Sequence, residues 1–323
     1  MNGEKRDDCM EQMEQKLISI AVPVYNEQDN IDVLHQEIVR YMEPLPYRFE
    51  LIFVDDGSKD ATPLVLDRLT QQDARVRALI LARNYGFQTA LTCGMENADG
   101  AAVITMDGDL QHPPSLRPER IRRWEAGAEI VQTIRKDTEG ASLLKKLTSR
   151  FFYKMINVIS KIHITEGGSD FRLLDRKVVL SFRRFGERAK FIRGIISSIG
   201  YRQEFVEFVA PPRLAGVSKF SLGKMLHFAL DGITAYSKLP LRIAFYMGLL
   251  LGLGSFFLLG HVLFIKFFTE EAVPGWATTS ASVFLLGGLQ LVGLGIVGEY
   301  VGRIFEEVKG RPLYLVRDEL RKK

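Results

Sequence analysis

From Leu17 to about Arg135 the chain alternates short, β-rich apolar runs with amphipathic stretches. LISIAVPVY leads into a helical segment ending near Tyr41, FELIFVDD into a helix through Leu69, VRALILA into a helix from about Gly86, and AAVITMDGD into a helix to Glu125; EIVQTI closes the series. Strands separated by helix-length amphipathic segments predict a mainly parallel sheet covered by helices on both faces. Ligands of such sheets bind beyond the carboxyl ends of the strands. Three of the predicted strands end in polar clusters, PVYNE, VDDGS and MDGD, and right-handed crossovers bring those ends to one rim.

Beyond residue 140 the pattern changes. LLKKLTSRFFYKMINVIS reads as a helix and GGSDF as a Gly-rich turn. In KFSLGKMLHFALDGITAYSK, the residues Phe220, Leu222, Leu226, Phe228, Ala229 and Ile233 recur at near-helical spacing among Lys219, Lys224 and Lys238. That is the pattern of a helix lying in a membrane interface or of a surface helix packed on the sheet, and its place just before a long apolar stretch favours the first. Ile243–Ile265 has 23 residues without a formal charge and Thr278–Val297 has 20. Each is near the roughly 20 residues that cross a bilayer. Lys238 and Arg242 precede the pair, and Arg303, Lys309 and Arg311 follow it. By the positive-inside rule both flanks are cytoplasmic, and a cytoplasmic sheet domain has access to nucleotide-activated substrates.

The composition of the 323 residues changes the picture in three ways. Charge is segregated, because the 55 residues from Ile243 to Val297 hold only Lys266, Glu270 and Glu271 while the other 268 hold the remaining 79 charged side chains. A hydrophobic fraction of 46% leaves ample material for a core, and a net charge of +4 gives no sign of a nucleic-acid partner. Cys9 and Cys93 form no disulfide framework and no Cys/His ligand pattern, so a reducing compartment is expected. The opening MNGEKRDDCMEQMEQK lacks an apolar run of signal-peptide length and reads as a polar tail.

The candidate chemistry lies on the predicted rim. Asp107-Gly-Asp109, followed by Gln111, sets two carboxylates and an amide oxygen close together at a strand end, with a second acidic pair, Asp55-Asp56, at the end of another strand. Oxygen ligands of this kind suit a hard cation such as Mg²⁺ or Mn²⁺ that also binds substrate phosphates. No G-x-G-x-x-G and no G-x-x-x-x-G-K-[ST] follows any predicted strand, which disfavours dinucleotide oxidoreductases and P-loop NTPases. A diphosphate held by metal and carboxylates instead points to a nucleotide-sugar transferase.

Six motifs in order, PVYNE (23–27), VDDGSKD (54–60), RNYGFQTAL (83–91), MDGDLQHPP (106–114), GGSDFRLLDR (167–176) and RLAGVSKF (213–220), resemble the family 2 glycosyltransferases that glycosylate polyprenyl phosphates. The likeness is to bactoprenol (undecaprenyl phosphate) glycosyltransferases, with dolichyl-phosphate mannose synthases as cousins, and it covers about residues 17–317. The resemblance implies a GT-A fold that transfers a sugar from a UDP-sugar to a lipid phosphate at the membrane, with inversion at the anomeric carbon. It implies that Pro23, Tyr25, Glu27 and Asp55 hold the nucleoside and that Asp107, Asp109 and Gln111 surround the metal and diphosphate. Arg213, Ser218 and Lys219 would meet the lipid phosphate, which agrees with a dianionic acceptor's need for cations and hydroxyl donors. Asp109, Asp170 and Arg172 are the catalytic candidates. A sugar hydroxyl needs a carboxylate base, whereas a phosphate with a second pKa of about 6 is already largely ionised, so Asp170 either accepts a proton or positions Arg172 or the sugar. His112 is either a phosphate contact or a loop-packing residue.

The expected organisation is a disordered polar tail (1–16), a cytoplasmic GT-A domain (17–217), an amphipathic interfacial segment (218–241), a two-helix transmembrane hairpin (242–298) and a basic cytoplasmic tail (299–323). Gly248, Gly252 and Gly287 are compatible with close helix packing, and a homo-oligomer with it. The competing readings are a processive polysaccharide synthase, which the missing Q-x-x-R-W motif and the pair of spans argue against, and an inert nucleotide-binding membrane scaffold, which the intact acidic and basic motifs argue against.

Overall fold

The computed structural model describes residues 16–108, 117–136, 168–188, 190–209, 239–268 and 275–322. The chain divides into two units, residues 1–219 with 312–323, and residues 220–311.

In the first unit the alternation from Leu17 onward resolves as β1 (Leu17–Val24), α1 (Ile31–Met42), β2 (Arg48–Asp55), α2 (Thr62–Gln72), β3 (Val76–Leu81), α3 (Phe87–Glu96), β4 (Ala102–Thr105), α4 (Arg117–Glu125) and β5 (Ile130–Lys136). There follow β6 (Gly168–Asp175), α5 (Arg176–Arg183), α6 (Ile192–Ser198) and β7 (Gln203–Val209). These strands and a last one, β8 (Val316–Arg321), form one sheet in the order β7-β5-β6-β4-β1-β2-β3-β8. Neighbours run parallel except at β6, antiparallel to both β4 and β5, and at β8, antiparallel to β3.

Each central strand is buried on both faces, so its alternation divides the core in two. Ile18, Ile20 and Val22 of β1 pack with Ile31, Leu34, Leu66 and Ile121 from α1, α2 and α4. Ala21 of β1 and Ile52 of β2 face the other way, onto Leu91 and Met95 of α3, Val178 and Phe182 of α5, and Ile195 of α6. Cys93 sits in this second layer, where burial pushes its thiol up to about 12 and leaves it a small apolar core residue.

Two segments depart from the sequence reading. The expected Gly-rich turn at GGSDF is the beginning of β6, a strand paired on both edges, and its Asp170 and Arg172 are buried. Charged residues inside a strand hide its period, which is why it reads as a turn. The end of the expected basic tail (299–323) is also a strand: Arg77 pairs with Arg321 and Ile80 with Asp318. Tyr314 packs on the α3 layer and donates its hydroxyl hydrogen to Glu96 at 2.9 Å, while Leu320 packs on the opposite layer. Arg77 meets Glu319 at 2.9 Å, and the Ala82 amide donates to the Leu315 carbonyl at 2.9 Å.

The second unit contains α7 (Leu239–Phe268) and α8 (Trp276–Val308). Leu239–Phe257 and Leu285–Val308 are long and apolar enough to cross a membrane. Their exposed side chains include Phe256 at 71% and Leu291 at 70%, part of a large exposed apolar surface that a water-exposed helix does not ordinarily carry. Helix α8 runs about three turns beyond the expected span end at residue 298. The interfacial segment expected at 218–241 lies outside the described residues, apart from the first turn of α7.

Candidate active site

The carboxyl ends of β1, β2, β3 and β4 open on one rim, and because β6 is antiparallel its starting residues arrive at the same rim. Four loops build the site from there.

After β1 the chain turns sharply at Asn26, whose φ of 54° is a left-handed conformation that asparagine tolerates. The Asn26 amide donates to Ser58 Oγ at 2.8 Å, and the Lys59 amide donates back to Asn26 Oδ1 at 2.9 Å. The Glu27 amide donates to Thr62 Oγ1 at 2.9 Å, and Asn30 Nδ2 donates to the Glu27 carboxylate at 2.6 Å. Tyr25 is left 41% exposed on the rim.

Asp55 and Asp56 divide their work. Asp55 is fully buried, and its carboxylate accepts hydrogen bonds from the backbone and hydroxyl of Ser58, so it shapes its own loop. Burial pushes its carboxyl up, against those hydrogen bonds and the charge of Arg317 on β8. Asp56 receives the Tyr85 amide at 2.7 Å and the Gly86 amide at 2.9 Å, tying the loop after β2 to the loop after β3. Burial raises the Asp56 carboxyl too, opposed by those amides.

Gly57 lies where the two loops cross, at a φ of +70°, and a Cβ there would meet the Arg83 carbonyl carbon at 2.5 Å and the Asn84 nitrogen at 2.7 Å. Both obstacles are backbone, so Gly57→Ala is expected to cost about 1–3 kcal/mol of stability and to weaken nucleotide binding as the loops separate. Thermal melts with and without UDP check this; unchanged melting and unchanged nucleotide affinity would overturn it.

Asp107 follows β4, and Gly108 closes the turn against β1, where a Cβ would meet Val24 Cγ1 at 2.9 Å. The charge of Asp107 acts on Arg172, which burial pulls down to about 10 against the attraction of Asp170 and Asp107. Arg172 Nη2 donates to Asp170 Oδ1 at 3.0 Å and its Nε to the Ser169 carbonyl at 3.2 Å. Thr105 Oγ1 donates to the Asp170 carbonyl at 2.6 Å, clasping β4 to β6 behind these side chains. Arg120 of α4 stacks over the Phe171 ring at 3.2 Å from its centroid, supporting the strand from below.

Pro23, Tyr25, Glu27, Asp55, Asp107, Asp170 and Arg172 thus come to one rim from four strands. Asp109, Gln111, Arg213, Ser218 and Lys219 lie outside the described residues, as does His112. The profile of the family described as "Glycosyl transferase family 2" matches residues 19–181, every strand of this rim included. The chain belongs to glycosyl transferase family 2.

The glycosyltransferase is 41% identical over 299 residues to the uncharacterized glycosyltransferase YkcC of Bacillus subtilis, covering 93% of both chains. It is 40% identical over 305 residues to the bactoprenol glucosyl transferase of Shigella phage SfV, covering 94% of this chain and 99% of that one. Among solved structures, mannosyl-3-phosphoglycerate synthase from Rubrobacter xylanophilus is similar over 70% of this chain and 74% of that one, with 14% identity and a TM-score of 0.48. The glycosyltransferase has the GT-A architecture that its motifs imply, with the mainly parallel sheet carrying its acidic residues at the strand ends.

Sequence reasoning missed three residues that shape this rim. Asp56 was noticed only as half of an acidic pair, although Asp-Asp-Gly before a loop is a signal for a carboxylate that caps backbone amides. Arg317 sits in a segment whose strand character is hidden by its charges. Arg193 of α6 reaches Asp170, and a lone arginine at the start of a short helix carries no sequence signal at all.

Proposed function

We propose that this glycosyltransferase moves a sugar from a UDP-sugar to undecaprenyl (polyprenyl) phosphate at the cytoplasmic face of the membrane, with inversion, supplying a lipid-linked sugar for cell-envelope glycans. The observation that carries the reading is the near full-length likeness to bactoprenol glucosyl transferases, joined to carboxylates gathered at the strand ends of the sheet.

Tyr25, Pro23 and Glu27 bind the nucleoside in this reading, and Asp55 acts through the loop it shapes. Asp107, with Asp109 and Gln111, holds a divalent cation, Mg²⁺ or Mn²⁺. The donor set fits, since such ions take one or two carboxylates plus substrate phosphates and need no cage of protein ligands. Among the described residues no three ligating side chains form a cage. The cation supplies charge neutralisation for the departing diphosphate. Arg213, Ser218 and Lys219 receive the lipid phosphate. The bond from the anomeric carbon to an acceptor phosphate oxygen forms as the bond to the diphosphate oxygen breaks, the electron pair leaves with the diphosphate, and no proton has to move.

Topology supports the membrane half of the reading. The chain leaves the sheet unit, runs through α7 and α8, and returns to the same sheet as β8. Two crossings satisfy that connection and one does not. The domain scheme proposed is therefore a catalytic unit completed by residues 312–323, interrupted by a transmembrane hairpin.

The test is product analysis by mass spectrometry after membranes carrying the protein are incubated with undecaprenyl phosphate and a panel of UDP-sugars. A sugar joined to the lipid phosphate is expected, and donor hydrolysis without a lipid product would overturn the reading. Tags at both termini are expected to be protected from external protease in intact cells while the loop around Pro274 is cut. An accessible C-terminal tag would overturn the hairpin.

A further inference from the structure

The Asp170 carboxylate is gripped from two sides. Oδ1 accepts from Arg172 Nη2 at 3.0 Å and from Arg193 Nε at 3.1 Å, and Oδ2 accepts from Arg193 Nη2 at 2.8 Å. The Arg193 contact is a fork-to-fork bidentate pair, the geometry that fixes a carboxylate's orientation as well as its charge. Its guanidinium comes from the first turn of α6, whose Ile192, Ile195 and Ile196 are anchored in the core, so the donor is held on a rigid element. Arg172 is 2% exposed and Arg193 30% exposed, which places one cation behind Asp170 and the other toward solvent. These three bonds alone take up most of the roughly four acceptor positions of a carboxylate and leave little room for a proton. Taking one from a hydroxyl acceptor would mean giving up a charge-assisted bond.

We propose that Arg193 is a positioning residue for glycosyl transfer: by its bidentate hold on Asp170 it keeps that carboxylate fixed and charged, so the site serves an acceptor that arrives already ionised. The inference rests on the reading of a phosphate acceptor given above and adds to it the residue that holds Asp170 out of use as a base. A phosphomonoester is largely ionised near neutrality and attacks without losing a proton. An alcohol of the same chain length lacks that advantage and is refused. Asp107, Arg172, Asp170 and Arg193 then form a row of alternating charge from β4 to α6, in which removing one member unbalances its neighbour.

The experiment uses the full-length protein in detergent with the donor found by product analysis, undecaprenyl phosphate or undecaprenol as acceptor, and fluorescent UDP as the probe of donor binding. Arg193→Ala is expected to lower kcat with the lipid phosphate by about 10²-fold, the scale of a displaced catalytic geometry, with UDP affinity held within about twofold. Arg193→Lys recovers only part of the loss, because an ammonium restores charge without the fork. The double variant Asp170→Asn/Arg193→Ala is no slower than the slower single variant, as expected when two residues act as one unit. Undecaprenol is not glycosylated by any of them.

Two outcomes overturn the inference. One is Asp170→Asn abolishing transfer while Arg193→Ala leaves kcat intact, which makes Asp170 a base. The other is Arg193→Ala lowering the melting temperature with kcat per folded molecule unchanged, which makes the pair purely structural. If the wild-type protein itself fails to glycosylate undecaprenyl phosphate, the function reading falls and takes the inference with it.

Discussion

Replacing Asp107 with alanine is expected to reduce sugar transfer by about 10²-fold or more, the scale of losing a group that stabilises charge developing in a transition state. Asp107 follows β4 at the rim, and its turn is pressed against β1 through Gly108. Asp109→Ala is expected to lose activity on the same scale. Excess chelator should reduce the wild-type rate similarly and have little further effect on Asp107→Ala, because both interventions deprive the site of the same cation. The variant also leaves the buried Arg172 with one anionic neighbour fewer, so Asp107→Asn, which keeps the shape, separates local disturbance from loss of charge. Steady-state rates with added Mg²⁺ or Mn²⁺ check the expectation, and full activity in excess chelator would overturn it.

Deleting residues 312–323 is expected to destabilise the sheet unit on the order of 3–5 kcal/mol, from lost side-chain burial and lost ladder hydrogen bonds. For a unit of this size that lowers its melting temperature by roughly 10 °C. The deletion removes Tyr314 from one core layer and Leu320 from the other, and it strips β3 of its outer partner. β3 is VRALIL, an apolar strand whose bare edge invites pairing with other molecules. Aggregation on size exclusion should accompany the lower melting temperature. Tyr314→Phe, which removes only the hydroxyl that donates to Glu96, should cost about 1 kcal/mol. A truncated protein as stable and monodisperse as the parent would overturn the structural role of β8.

Five strands and four helices between Leu17 and Lys136 were readable because each central strand is a short β-branched run and each helix buries one face. The rim was readable for a related reason: Asp55, Asp56 and Asp107 interrupt apolar strands at their carboxyl ends, where polar residues serve no packing purpose. β6 was not, because Asp170 and Arg172 are buried as partners of each other, and paired charges in a core look like a loop in sequence. β8 was not, because VRDELR is mostly exposed and its strand state comes from the edge of β3, about 240 residues earlier in the chain. Arg193 acquires its meaning only from the position of α6 against β6. Tertiary contact supplied what local pattern lacked in each of these three cases.

The return of the chain to β3 also fixes an order of events during synthesis. β1 to β5 become available early, and the core on both faces of the sheet can collapse around them. The outer edge of β3 has no partner until both apolar helices and the residues after them have been made. The pairing of Arg77 with Arg321 is thus among the most sequence-distant contacts in the molecule, the kind that forms late and slowly. On the hairpin proposed above, crossing and return of the two apolar helices would bring β8 back to the side of the sheet and turn a distant encounter into a local one. The edge strand of the sheet unit is thus the last part of its fold that the growing chain can supply.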